Sequence, residues 1–454
     1  MSRRDLIMKI SLITLSLTTY FLLITIPTVF ANTNNLTLES VTKDVTYLAS
    51  DELKGRASFS AEIDQAADYI AQRFRDMGLS PINAEQNTSF KQTFAIHSIR
   101  PKSLIVKINT KSVAKENLAM ASSIGQLAWH KTNLDNGTVK KHVIGPEDNM
   151  RSVLSVLNKK GGQHLVLLHT DHTKNFKRYQ SYFQRGLTKL SLDHQGAIII
   201  VLTDDSHIDS LFVQAKTTTS LKSLTNVVAV LPGKTKPEEI VLYSSHYDHL
   251  GDNGQEEDEI YNGADDNASG TTAVINIAQY YANKADNART LVFATFTAEE
   301  IGGFGSKYFS LQLDPIAITA MINIEMIGKP SKFGAGSVWM TGMERSNLGT
   351  LLNDNLKDKN RVIHQDPYPE QGLFYRSDNA TLARLGVPAH SFSSTQLDKD
   401  KHYHEVSDDL ASLDLNSMFK VIESLAFSTQ GLVDGSVTPS RIDPAKVKKR
   451  GLIY

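Results

Sequence analysis

From residue 226 onward, short apolar runs alternate with helix-like segments, and that alternation limits the possible fold more than any other feature of the chain. The runs cover 226–231, 240–244, 291–296, 316–324 and 387–392, with helical patterns over 271–283 and 378–385. Strands that are apolar on both sides belong in a sheet covered on both faces, and strand–helix alternation makes most of that sheet parallel. The expected fold is therefore α/β, a mixed, largely parallel central sheet with helices on both faces. Pro232-Gly233 reads as the turn joining the first two runs. Upstream, 36–80 reads as helical, with Ala66, Ala67, Tyr69, Ile70 and Phe74 at helical spacing before Gly78 and Pro81. Residues 101–225 differ, because apolar runs at 164–168 and 197–202 are separated by long polar stretches; they read as a smaller β-rich inserted domain.

These patterns divide the chain into 1–31, a signal peptide; 32–100, the amino-terminal part of the main domain; 101–225, the insertion; 226–435, the main domain; and 436–454, a carboxyl-terminal tail. The first segment places Arg3, Arg4 and Lys9 before an apolar stretch ending at Val29-Phe30-Ala31, the layout of a cleaved secretory signal. The expectation is a protein exported to the periplasm or the medium, with no stable membrane anchor after cleavage. The 454 residues include no cysteine, which excludes disulfides, thiolate metal ligands and cysteine nucleophiles. A formal charge of −1 gives no reason to expect nucleic acid as a partner.

Chemistry gathers at the ends of the apolar runs. The run at 240–244 leads into His246-Tyr247-Asp248, that at 291–296 into Glu299-Glu300, and that at 316–324 into Glu325. Asp265-Asp266-Asn267 precedes the helical segment at 271. Parallel sheets place their sites beyond the carboxyl ends of their strands. Carboxylates crowded there need cations, and imidazole with carboxylate suits zinc. Asp248, two residues after His246 on an extended strand end, can orient that imidazole. Of Glu299 and Glu300, one can bind metal while the other meets a water as general base. Taken singly, Glu-Glu reads as a solvated helix start and Asp-Asp-Asn as a cap; their joint order carries the signal.

In order, HYDHLG (246–251), NGADDNASG (262–270), TAEEIGGFG (297–305), NIEMIG (323–328) and HYHEVSDD (402–409) resemble the two-zinc aminopeptidases of metallopeptidase family 28. LASDELKGR (48–56) and DYIAQRFRDMGL (68–79) are similar to that family's amino-terminal segment, and the insertion weakly resembles a protease-associated domain. The resemblance implies two Zn²⁺ per chain, one on His246 and Glu325, the other on Glu300 and His404, with Asp266 bridging. It implies Glu299 as general base, Asp248 behind His246, and Tyr403 as a hydrogen-bond donor to the oxyanion. Glu325 stands where the family more often has aspartate. His404 is chosen over His402 only by this match, and His249 and His390 read as supporting or structural. The implied reaction is removal of amino-terminal residues from peptides with a free N-terminus. The alternatives are a single-zinc glutaminyl cyclase on the same fold, or a carboxypeptidase or dipeptidase that would use a basic residue such as Arg376.

Overall fold

The computed structural model describes residues 36–82, 88–254 and 259–454; the expected signal segment, 1–31, lies outside them. Two helices come first, α1 (Leu38–Leu48) and α2 (Ala61–Asp76). Thr37 and Ser60 cap them, each side chain accepting a backbone N–H that the first turn leaves free. Between them the chain breaks at Lys54-Gly55-Arg56, all at positive φ, so the stretch read as helical is two helices and a kinked connector.

The inserted segment follows. Its elements are β1 (Lys91–Ile108), β2 (Leu118–Ser122), β3 (Val139–Ile144), α3 (Met150–Lys160), β4 (Gly162–Leu168), α4 (Thr173–Gln184), β5 (Gly196–Leu202) and β6 (Leu211–Leu231). The rest of the main domain supplies β7 (Lys236–His246), α5 (Gly270–Lys284), β8 (Arg289–Phe296), β9 (Ile318–Ile324), β10 (Val338–Met340), β11 (Ala389–Ser393) and α6 (Leu415–Ser428).

The large sheet runs β10-β11-β9-β7-β8-β6-β1 through its centre. Strands β11, β9, β7 and β8 are parallel, whereas β6 joins β8, and β1 joins β6, antiparallel. The Pro232-Gly233 turn therefore closes no hairpin, because β8 lies between the strands it connects. Along β7, side chains alternate between two cores. Val241 and Tyr243 pack with α1, α2, α5 and α6, while Leu242 packs with Phe309, Leu382, Val387, Ile442 and Val447. Both faces are thus covered, as wholly apolar strands require.

Strands β1 and β6 are 18 and 21 residues long and run without a break from the main sheet into the insertion. The boundaries expected at 100 and 225 fall inside them. The insertion's own sheet is ordered β2-β5-β4-β3. One face is covered by α3 and α4 through Leu154, Leu157, Phe176 and Phe183; the other packs on Trp129, Val213 and Ala215. The segment is rich in strand, as expected, and also carries the helices α3 and α4. Its helix α4 exposes little periodic signal, since only Phe176 and Phe183, two turns apart, are buried along it. Residues 436–454 are more than a tail: Ile442 and Val447 enter the main core and Ile453 enters the insertion's core. Among the described residues no helix is long and apolar enough to cross a membrane.

Candidate metal centre

The parallel strands stop level with one another. His246 pairs with Phe296, and Ser244 with Asn323, so the residues that follow emerge side by side at the sheet's carboxyl edge. His246 ends β7 and Glu325 follows β9. Glu299 and Glu300 follow β8 through Ala298, Asp266 comes from the turn before α5, and His404 from the loop between β11 and α6. Ala298, Met326 and His404 have φ of 59°, 49° and 60°. Non-glycine residues hold that conformation only where their surroundings enforce it, and such strain gathers at functional sites.

Asp266 lies at the centre. Its Oδ1 is 3.3 Å from His246 Nε2, and its Oδ2 is 3.2 Å from His404 Nε2. His246 Nε2 is also 3.2 Å from Glu325 Oε1, and His404 Nε2 is 3.5 Å from Glu300 Oε2. The enclosed His404 Nε2 has no hydrogen bond among the described residues despite these short distances. Two ligand atoms bound tetrahedrally to one zinc lie about 3.4 Å apart, so this donor set fits zinc. His246, Asp266 and Glu325 can hold one ion, and His404, Asp266 and Glu300 a second.

The charges point the same way. Burial opposes ionisation of Asp266, yet the two imidazoles outweigh it and hold the carboxyl well below its usual range. Burial likewise opposes the charged form of His246, but Glu325 and Asp266 raise its pKa well above normal. The carboxylates of Asp266 and then Glu300, close beside its Nε2, push His404 up to about 10. Glu299 is raised well above the usual range by burial; His246 opposes this, and Asp378, Glu325 and Glu300 add to it. Without cations the imidazoles must carry the neutralising protons. Divalent ions at the same place would release them.

Supporting contacts surround this cluster. His246 Nδ1 meets the main-chain oxygen of Asp248 at 3.0 Å, while the Asp248 carboxylate lies 3.7 Å away. That carboxylate instead accepts the N–H groups of Glu299 (3.0 Å) and Glu300 (3.4 Å) and the hydroxyl of Ser58 (3.1 Å). Asp248 thus orients His246 through its backbone, because β7 ends at His246 and the chain turns there. His249 Nδ1 contacts Glu300 Oε1 at 3.0 Å. Tyr403 stacks on His404 with ring centres 3.9 Å apart, and its hydroxyl accepts from Arg376 Nη2 at 3.3 Å. His390 bonds Thr341 and Ser346, and His402 bonds Ser407, so neither joins the cluster.

Several supports carry no sequence signal of their own. Ser377 donates to Glu325 Oε2 at 2.7 Å. Arg56, fully buried, donates to the carbonyls of Tyr247, Leu48, Asn262 and Gly263, tying α1 to the two ligand loops. Behind Asp266, Lys329 lies 3.1, 3.2 and 3.6 Å from Asp400, Asp408 and Asp265, and Asp408 accepts the N–H of Asp266 at 3.1 Å. Of these, Arg56, Asp265 and Asp408 stand within the motifs LASDELKGR, NGADDNASG and HYHEVSDD, but nothing in their spacing assigns these contacts.

Fold and site together define an α/β domain with an imidazole–carboxylate cluster at its strand ends that could hold metal. Residues 226–428, somewhat under half of the chain, match the model of Peptidase family M28. A protein of Arthroderma otae named "Probable leucine aminopeptidase" is 29% identical over 204 residues, covering 43% of this chain and 53% of that one. One of Pyrenophora teres f. teres named "Probable zinc metalloprotease" is 31% identical over 135 residues, 29% of each chain. The chain spans about half the length of the leucine aminopeptidase relatives it matches. Among solved structures, a zinc aminopeptidase from Bacillus subtilis superposes with a TM-score of 0.53 at 14% identity, over 92% of this chain and 99% of that one. An aminopeptidase from Aneurinibacillus sp. strain AM-1 gives 0.51 at 17% identity, over 92% and 97%. At these identities the likeness is one of fold.

Proposed function

We propose that this chain is an exported aminopeptidase that uses two zinc ions to remove residues from peptides with a free N-terminus. The observation that carries the reading is Asp266, whose two oxygens face two imidazoles at 3.3 and 3.2 Å, each backed by its own glutamate. Two zinc ions, one on His246, Asp266 and Glu325 and the other on Asp266, Glu300 and His404, would supply the Lewis acidity that makes water acidic near neutral pH and polarises a carbonyl. Glu299 lines the same cavity and is not needed as a ligand. It takes the water's proton and returns it to the leaving amine. The Tyr403 hydroxyl, held by Arg376, donates to the developing oxyanion. The clustered carboxylates attract the substrate's α-ammonium group. Met326, Trp339, Leu373 and Leu397 give the cavity an apolar wall suited to an apolar first side chain.

Cleavage of aminoacyl anilides, loss of that cleavage on chelation, and two zinc ions per purified chain are expected. Equal cleavage of N-blocked peptides would remove the aminopeptidase assignment, and one ion with pyroglutamate formation would replace it with cyclisation. Export rests on the basic-then-apolar start of the sequence. It predicts a mature amino terminus at Asn32, read by terminal sequencing of the protein recovered outside the cytoplasm.

A further inference from the structure

The turn that carries Glu299 and Glu300 is tightly wound. Gly302 and Gly303 donate to the Glu299 carbonyl at 2.8 and 2.9 Å, Phe304 to Ala298 at 3.1 Å, and Gly305 to Thr297 at 3.0 Å. Asp248 holds one side of it through the N–H groups of both glutamates. The other side is held from far along the chain: Arg450 Nη1 donates to the Gly302 carbonyl at 3.2 Å and Nη2 to Thr381 Oγ1 at 3.1 Å. Arg450 is half-buried and, among the described residues, has no ion pair. Its guanidinium is committed to this carbonyl and this hydroxyl.

The residues just beyond Arg450 are fixed in the inserted unit. Asn158, in α3, clamps them: its carbonyl accepts from Leu452 (2.8 Å) and its Oδ1 from Ile453 and Tyr454 (2.8 and 2.9 Å). Its Nδ2 donates to the Tyr454 carbonyl at 2.7 Å. Ile453 is fully buried in that unit's core, and a Cβ at Gly196 would meet its Cγ1 at 2.8 Å, so the space is reserved for it. Tyr454 packs edge-on against Phe183 of α4 at 5.1 Å. Five consecutive residues therefore span from the insertion's core to the turn bearing the proposed base.

We propose that Arg450 is a positioning residue for the 297–305 turn, and that segment 450–454 couples the inserted unit to it. The inference rests on the reading of Glu299 as general base. It assigns the insertion a role in catalysis through a mechanical link. A small displacement of a catalytic group is enough to cost one or more orders of magnitude in rate.

The test compares wild type with R450M, R450K and N158A in anilide cleavage, zinc content, thermal melting and amide exchange over 297–305 in the metal-free protein. R450M is expected to lower kcat about tenfold with KM, zinc content and melting nearly unchanged, and to speed exchange in the turn. R450K, which can still donate to Gly302, should recover part of both, and N158A, distant from the turn, should shift both in the same direction. Unaltered exchange in R450M overturns the proposal, whatever happens to kcat. So does a loss of kcat that tracks unfolding and is not relieved in R450K. Because exchange is read without turnover, a wild type that cleaves no anilide sinks the proposed activity and leaves the coupling to be judged separately.

Discussion

Both sheets of this molecule bring histidine and aspartate to the carboxyl ends of parallel strands, in opposite surroundings. In the insertion, β4 and β5 are followed by His169, Asp171 and Asp204. His169 Nδ1 lies 3.4 Å from Asp171 and its Nε2 3.4 Å from Asp204, with side chains 31%, 66% and 59% exposed. In the main sheet, His246 and Asp266 are 2% and 4% exposed, and three carboxylates besides Asp266 crowd the same pocket. Residue type and sheet position are alike; burial differs. In water, exposed charges need no ion, and their pairing contributes little. In the interior, the same groups are costly unless protons or metals neutralise them. The two acids of the insertion also face different ring nitrogens, so they share no point at which one ion could sit.

The sharpest way to break the comparison is Asp266→Asn. Asp266 alone touches both imidazoles, so its loss of charge should release both ions and take activity below detection, measured by metal analysis and anilide assay. Retention of two zinc ions would show that the bridging reading is wrong. Next in size is Glu299→Gln, which should keep both ions while kcat falls by about 10²–10⁴-fold. A variant of normal turnover would move the base elsewhere.

Burial also explains what the sequence disclosed. Apolar runs ending in His246, Glu299, Glu300 and Glu325 were legible because a parallel sheet sends every strand end to one edge, a rule that needs no coordinates. The four-helix cover of one face and the mixed strand order followed less directly: the antiparallel entry of β6 depends on β8 slipping between β6 and β7, which no local pattern announces. Arg56, Ser58, Ser377 and Lys329 stayed hidden for another reason. Each acts by meeting a backbone or carboxylate group far away in the chain, and neither periodicity nor spacing encodes such a meeting. The helices of the insertion were missed because its sheet, rather than a periodic stripe, supplies most of the apolar surface.

A smaller effect separates the two regions by pH. In the metal-free protein His404 is raised from 6.5 to about 10, first by Asp266 and then by Glu300. A group that binds its proton more tightly when folded stabilises the fold fully below its unfolded pKa and loses that contribution as pH rises through the folded one. The melting temperature of the chelated protein should therefore fall between about pH 6.5 and 10. With zinc present the trend should reverse at the acid end, because protons then compete with metal for both imidazoles. Parallel slopes with and without zinc would mean that the imidazoles are not ligands.

The smallest expected effect lies in the insertion. His169→Ala and Asp204→Ala remove the pair that most resembles the main site in composition. Asp204 owes its depressed pKa first to the backbone N–H and then to the hydroxyl of Thr170, and only weakly to His169. Its carboxylate also accepts both of those bonds, at 3.0 and 2.7 Å, which fixes the start of the turn leading into α4. His169→Ala should therefore change stability by no more than about 0.5 kcal/mol, and zinc content and kcat should not move. Asp204→Ala should cost somewhat more, as the loss of a cap-like acceptor does, again with unchanged zinc. The two losses should add, since the ion pair between them contributes little in water. A double-mutant cycle measured by chemical denaturation gives the coupling directly. A coupling well above 1 kcal/mol, or one zinc fewer per chain in either variant, would show that an exposed histidine and aspartate can do here what burial does at the main sheet.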